Sequence, residues 1–310
     1  MLKKLLKAIL KYPIIILNRV YTRIYFTVVK NNDECKELDI KSDQNIIVLS
    51  PHVDDETIGM GGTLIKYSKM NSDMTLIYLT DGSGSTSDKS ESEVIEERKN
   101  EGIAVKKSYG FKDVYFLDQL DGSLNSNDNE LIYKLKDIVN LKKPHAIFST
   151  FLIDGNKDHM ETTKAISKAL EISEAQPQDI YLYEVNNLIH PKIVNTISVL
   201  DNDIYREKKE KYKIFKSQWA MGFSVYDLMD FGRGLNYSSK NSIEPFVDMS
   251  PEQLKSAIES LEKNGFDPLE FKQISSEFTF LSGMFKNKIK KNKYNKILRE
   301  LLDKQMGGSS

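Results

Sequence analysis

A single cysteine, Cys35, in a chain of 310 residues excludes an internal disulfide framework and any cysteine-based zinc knuckle, and it fits a reducing compartment. Any metal would therefore be held by histidine and carboxylate. Long apolar runs are missing too. Near the start, the longest one, Pro13 to Leu17, falls far short of the ~20 residues a spanning helix needs. Asn18, Arg19 and Arg23 break the apolar pattern after it. No small-residue cleavage site succeeds it, so the stretch does not read as a signal peptide. Nor is there an excess of one charge: the formal net charge is -1, and the chain as a whole carries no nucleic-acid signature. The apolar and charged fractions that remain are those of a soluble globular protein, with length for one large α/β domain plus additions or two small domains.

The charge is unevenly placed. Residues Met1 to Lys30 carry Lys3, Lys4, Lys7, Lys11, Arg19, Arg23 and Lys30 without one acidic residue, among Leu, Ile, Tyr and Phe. This basic amphipathic leader suits a helix lying in a membrane interface with its cations toward the headgroups. The plainer expectation is a helix packed on the domain or on a partner subunit. Lys286, Lys288, Lys290, Lys291, Lys293, Lys296 and Arg299 make the other end basic as well. Three segments are expected: a leader and connector over 1–44, a main domain over 45–248, and a helical basic extension over 249–310. Gly307 to Ser310 reads as a tail outside the fold.

From Asn45 onward strand and helix patterns alternate. Strands are expected at Ile46 to Ser50, Met74 to Thr80, Asp113 to Leu117, His145 to Thr150 and Asp179 to Val185. Helices are expected at Thr63 to Met70, Glu91 to Tyr109, Asn129 to Leu141 and His159 to Glu171. Such alternation means βαβ units, hence a Rossmann-like α/β fold with a mostly parallel sheet covered by helices on both faces. Gly59, Gly61 and Gly62 read as a tight turn, and Asp81 to Ser92 as a mobile loop. Beyond Asp201 the alternation stops. Ile204 to Gln218 is a charged helix, Ala220 to Met249 is irregular, and Pro251 to Asn264 and much of Phe271 to Lys304 are helical.

One stretch carries chemistry: Pro51-His52-Val53-Asp54-Asp55-Glu56, directly after the apolar run Ile46-Ile47-Val48-Leu49. In open α/β sheets ligands bind beyond the carboxyl ends of the strands, where His52, Asp54 and Asp55 fall. Zinc in a hydrolytic site takes three ligands from histidine and carboxylate and keeps one position for water. His52 and Asp55 supply two. His159, in a polar loop after another strand, is the expected third, with Asp158 beside it as N-cap or anchor for its ring. Asp54 and Asp55 are neighbours on a turn, so one can bind metal while the other faces the water as general base. A loop Asp is more often a turn or cap residue, and His-x-Asp-Asp alone is a weak signal. His145 and His190 read as structural and Cys35 as inert.

Pro51 to Glu56 followed by Gly61-Gly62 resembles the signature of the LmbE-like, or PIG-L, family of zinc-dependent N-acetylglucosaminyl de-N-acetylases. Thr80-Asp81-Gly82, Arg98 to Glu101, Asp158-His159, Ser217-Gln218, Arg233-Gly234 and Glu244-Pro245-Phe246 are similar to its later landmarks, over roughly Asn45 to Asp248. The resemblance implies zinc on His52, Asp55 and His159, with Asp54 as general base and Arg98 contacting substrate. Arg98 in a Glu/Lys-rich helix is equally read as a surface ion-pair residue. Val53 departs from the small residue or proline usual there. Asn156 stands where many members have a histidine thought to stabilise the oxyanion; it can donate a hydrogen bond but no proton.

The expected activity is hydrolytic removal of acetyl from an N-acetylated amino sugar of the N-acetylglucosamine type, lipid- or polysaccharide-linked. A soluble small glycoside, a non-catalytic sugar-binding role and a two-metal phosphoesterase are the alternatives. Fe²⁺ or Co²⁺ would suit the ligands as well as Zn²⁺. The expected place is the cytoplasm, with peripheral contact to the inner face of the membrane through the basic termini.

Overall fold

The computed structural model describes residues 2–29, 31 and 35–306, and side chains over 9–29, 31 and 35–302. Lys30 and Gly307 to Ser310 lie outside the described residues, as do the side chains of Lys3, Lys4 and Lys7. A long helix α1 (Leu2–Val28) and a two-residue strand β1 (Lys36–Glu37) precede β2 (Asn45–Ser50), α2 (Asp55–Lys69) and β3 (Asp73–Thr80). Next come α3 (Glu91–Tyr109), β4 (Asp113–Gln119), α4 (Asn129–Lys142), β5 (Ala146–Thr150), α5 (Lys157–Glu171) and β6 (Asp179–Tyr183). The remainder is β7 (Thr196–Leu200), α6 (Asn202–Lys211), α7 (Ser224–Asn236), β8 (Ser242–Met249), α8 (Pro251–Lys263) and α9 (Glu277–Met306).

These eight strands form one sheet in the order β1-β7-β8-β6-β5-β2-β3-β4. Pairing is parallel throughout except at β8, which runs antiparallel to both β6 and β7. The fold is thus α/β and Rossmann-like, with a mostly parallel sheet between helices. Strand β2 sits at its centre: Ile46, Ile47, Val48 and Leu49 are all buried, because helices cover both faces. From β2 the chain winds outward to β3 and β4, then returns to β5 on the other side of β2. That reversal opens a crevice at the carboxyl ends of β2 and β5.

Three expectations need correction. Gly59, Gly61 and Gly62 lie inside α2, not in a turn before it. Their small size serves close packing: a Cβ on Gly59 would fall 2.2 Å from the Tyr183 ring, and one on Gly62 2.5 Å from Leu200. The helix is kinked at Met60, whose φ is -147°. Just past the kink, the Glu244 carboxylate accepts hydrogen bonds from the amides of Gly62 and Thr63, both at 2.8 Å. Secondly, α3 starts at Glu91 under a Ser90/Glu93 capping box, so the loop ends at Ser90. Thirdly, Ala220 to Met249 is not irregular: it holds α7 and β8, and β7 precedes it. β8 escapes pattern reading because Glu244 and Pro245 stand in its middle, where sequence rules demote a strand.

Neither terminal segment is loose. Phe26 of α1 and Phe280 of α9 join the core on one face of the sheet, with Val48 and Leu76. Leu254 of α8 and Leu298 of α9 join the core on the other face, with Ile47 and Leu49.

Candidate active site

The turn after β2 brings three ligand-bearing atoms together. Asp55 Oδ2 lies 3.0 Å from His52 Nδ1 and 3.3 Å from His159 Nε2. Those spacings match the edge of a tetrahedron, about 3.3 Å for ligands about 2.0 Å from a central zinc. Both nitrogens of the fully buried His159 lack a hydrogen-bond partner, and a bound cation would satisfy one of them. His52, Asp55 and His159 therefore fit a divalent metal. Burial by itself would raise the Asp55 carboxyl, but His159 and His52 overcome it and hold that group far below the carboxylate range. His159 is pushed up to about 10: burial opposes the charge, and Asp55 and Asp154 outweigh it.

The backbone that presents this set is held in a costly shape. Asp54 has φ 146°, a region L-residues rarely adopt and one that costs about 1–3 kcal/mol. Two buried side chains impose it. The Glu56 carboxylate accepts from Ser50 Oγ at 3.0 Å and from the Asp54 amide at 3.3 Å. The Arg98 guanidinium donates to the Val53 carbonyl and lies 3.4 Å from Asp54 Oδ2. Desolvation pushes the Asp54 carboxyl up to about 7, partly countered by Arg98. A buried carboxyl poised there suits proton transfer.

Arg98 is not a surface ion-pair residue. It is 1% exposed, because α3 turns Arg98, Glu101 and Val105 toward the sheet at helical spacing. Its Nη1 donates to Glu101 Oε2 at 2.9 Å and to Ser217 Oγ at 3.1 Å. Asp158 does not hold the His159 ring either. That carboxylate accepts from the amides of Gly122 (2.6 Å) and Leu124 (3.2 Å) and faces His52 Nε2 at 3.4 Å. The group beside His159 Nδ1 is Asp154, at 3.4 Å. Asn156 is the N-cap of α5, its Oδ1 accepting from the Asp158 amide at 2.9 Å.

Sequence reasoning missed Asp121, Asp154 and the role of Glu56. Asp121 follows β4, and its Oδ1 sits 3.2 Å from His52 Nε2. With Asp121 and Asp158 on Nε2, the other nitrogen of His52 is left facing Asp55 and His159. The only signal for Asp121 was its place at a strand end on the same rim; beside Gly122 it reads as a turn residue. His145 and His190 lie elsewhere in structural roles, accepting from the amides of Asn45 (3.0 Å) and Lys192 (3.2 Å). Burial pushes the Cys35 thiol up to about 11, which leaves it unreactive.

Residues 47–170 match the model of the family described as PIG-L: GlcNAc-PI de-N-acetylase. That span runs from β2 to the end of α5 and contains every residue of the cluster. Over that span the chain is similar to the PIG-L family. Solved structures share its fold. N,N'-diacetylchitobiose deacetylase from Pyrococcus horikoshii aligns with a TM-score of 0.59 at 22% identity, over 67% of this chain and 85% of that one. A conserved protein from Thermus thermophilus aligns at 0.57 and 22%, over 67% and 96%. The 4-carboxy-2-hydroxymuconate hydratase GalB from Pseudomonas putida aligns at 0.57 and 17%, over 66% and 96%. Since the last carries the name of a hydratase, this shared fold does not by itself select the chemistry.

Proposed function

We propose that this protein is a metal-dependent hydrolase that removes acetyl from an N-acetylated amino sugar of the N-acetylglucosamine type. The observation that carries the reading is the convergence of His52 Nδ1, Asp55 Oδ2 and His159 Nε2 beside the buried carboxyl of Asp54. His52, Asp55 and His159 would hold the metal. Zn²⁺ is the favoured ion, with Fe²⁺ or Co²⁺ acceptable to the same donors. When bound, such an ion lowers the pKa of a water to about 7 and polarises an amide carbonyl.

Asp54 takes the proton from the attacking water as its oxygen bonds to the carbonyl carbon. It returns that proton to the nitrogen as the C–N bond breaks, giving acetate and the free amine. Arg98 fixes Asp54 through the Val53 carbonyl and the carboxylate itself. Asn156, with Oδ1 committed to the helix cap, keeps its amide nitrogen as the donor for the oxyanion. His52 and Asp121 are the partly exposed members of the cluster, with side chains 13% and 16% accessible, so the sugar enters from their side.

The test is amine release from an N-acetylglucosamine glycoside by zinc-loaded wild type and Asp54→Asn, with metal content assayed on both. Wild-type release that falls by about 10²–10⁴-fold in a variant still holding one metal supports the reading and assigns the base. Bound metal with no release from any N-acetyl sugar, free or lipid-linked, overturns it in favour of a sugar-binding role or another reaction. About two metals per chain would favour a phosphoesterase.

A further inference from the structure

Helix α1 is apolar on two sides. Its inward side seats Phe26 in the core with Tyr21 and Tyr25 packed against it, beside the buried Asn18 and Thr22. Its outward residues at the same spacing, Ile16, Val20, Ile24 and Val28, are exposed, the last two by 61% and 73%. Beside them on α9, Phe285 and Ile289 are 61% and 82% exposed. A contiguous apolar ridge of this kind is an interaction surface. No helix is long and apolar enough to cross a membrane among the described residues.

Cations flank the ridge on both sides. Toward α6 and α7, Arg19, Arg23 and Lys209 line a cavity of about 600 Å³ with Ile16, Val20 and Phe231. Asp227, 3.4 Å from Lys209, is the one acidic side chain in its wall among the described residues. Toward α9, a cavity of about 340 Å³ between Ile24, Val28 and Phe285 carries Lys288 and Lys291. It adjoins a second of about 330 Å³ where Lys192, Lys296 and Arg299 gather. Lys291 donates to the Leu188 carbonyl at 3.0 Å, and Lys296 lies 3.8 Å from Glu300. Asn295 lines both cavities, is 7% exposed, and its Nδ2 donor has no partner. Apolar side chains, surrounding cations and an unspent buried donor together describe the chemistry of an anionic amphiphile. A second copy of the chain fits worse, since cations flank both sides of the ridge and a self-complementary contact would set the cations of one copy against those of the other.

We propose that the joint face of α1 and α9 docks on an anionic phospholipid surface, with Ile16, Ile24, Val28 and Phe285 in the acyl boundary and the flanking cations on the phosphates. The chain lies on the membrane without crossing it. Docking holds the protein at the surface from which a lipid-linked sugar would be drawn, and it does not depend on the reaction at His52.

Cosedimentation of the full chain with vesicles of phosphatidylcholine alone, and of phosphatidylcholine mixed with phosphatidylglycerol, tests the proposal. Binding is expected to the mixed vesicles and to fall with added salt. Arg19→Gln, Arg23→Gln and Lys288→Gln together should weaken it by about 10²-fold, roughly fivefold per cation. Ile24→Gln with Phe285→Gln should weaken it by at least tenfold. These side chains are exposed, so circular dichroism and amine release from a soluble glycoside should stay at wild-type levels. No vesicle binding, equal binding to both vesicle types, or a dimer in light scattering that Ile24→Gln dissolves without any vesicle binding would each overturn the proposal.

Discussion

His52 shows how one side chain is set by others distant in sequence. Asp121 and Asp158 lie 69 and 106 positions further along the chain, yet both face its Nε2 and so aim Nδ1 at Asp55. Asp121→Asn is expected to lower metal affinity by 10–100-fold while leaving the unfolding midpoint within error, because the side chain is partly exposed. Equilibrium dialysis against a zinc indicator measures it. The three residues proposed as ligands stood out in the sequence, since His52 and Asp55 share one motif and His159 lies in the first turn of a helix after another strand. Asp121 and Asp154 did not. A loop aspartate has the same local signature whether it closes a turn or orients an imidazole, and only the fold brings it to its partner. Arg98 was misplaced as a surface alternative for a related reason: its neighbours in sequence are Glu and Lys, but its face of α3 is the inner one.

At the scale of elements, the kink in α2 is the feature that fixes the site. The helix begins at Asp55, so any change in its axis moves a proposed ligand. Glu244 on β8 clamps the freed amides of Gly62 and Thr63 and pairs with the fully buried Lys208 at 2.8 Å. Glu244→Gln would keep one acceptor oxygen, turn an NH2 group either toward the Thr63 amide or toward the Gly62 amide and the Lys208 ammonium, and remove the charge that pairs with Lys208. A loss of about 3–5 kcal/mol is expected, the range for breaking a buried pair, read as a shift in the urea midpoint at unchanged slope. Alternating β and α patterns from Asn45 to Tyr183 predicted the parallel half of the sheet within about two residues at most strand ends. The antiparallel half stayed hidden because β8 carries a buried carboxylate and a proline, and β7 buries Thr196 and Ser198 while leaving Ile197 and Val199 partly exposed. Both hidden strands owe their place to pairing with distant segments, which no local pattern records.

On the scale of the whole molecule, the terminal helices are part of the fold. Asn18 donates to the Glu277 carbonyl at 2.8 Å, tying α1 to α9, and Asn236 donates to the Val29 carbonyl, tying α7 to the end of α1. Phe26 packs its ring under Arg233, 5.5 Å from the guanidinium carbon. Removal of residues 1–29 is therefore expected to cost at least the ~3–5 kcal/mol of one deleted core aromatic, with a lower melting temperature or an insoluble product by calorimetry. Such a truncation would confound folding with any membrane role, whereas surface substitutions on the same helix would not. The sequence showed that α1 is basic and amphipathic. It could not show that apolar residues occupy both sides, one seated on α7 and α9 and the other bare, because the partners of the inner side lie more than 200 residues away.

The strained turn at Asp54 places stability and activity in opposition. Glycine would adopt φ 146° without steric penalty and would remove a desolvated carboxyl from the interior. Asp54→Gly is thus expected to raise the melting temperature by a few degrees, equivalent to about 1–3 kcal/mol, while abolishing amine release in the same preparation. Selection for thermal endurance alone would drive the chain toward that silent form. Its proposed role as the base is what would keep an aspartate there, and the sturdier protein lies one substitution away.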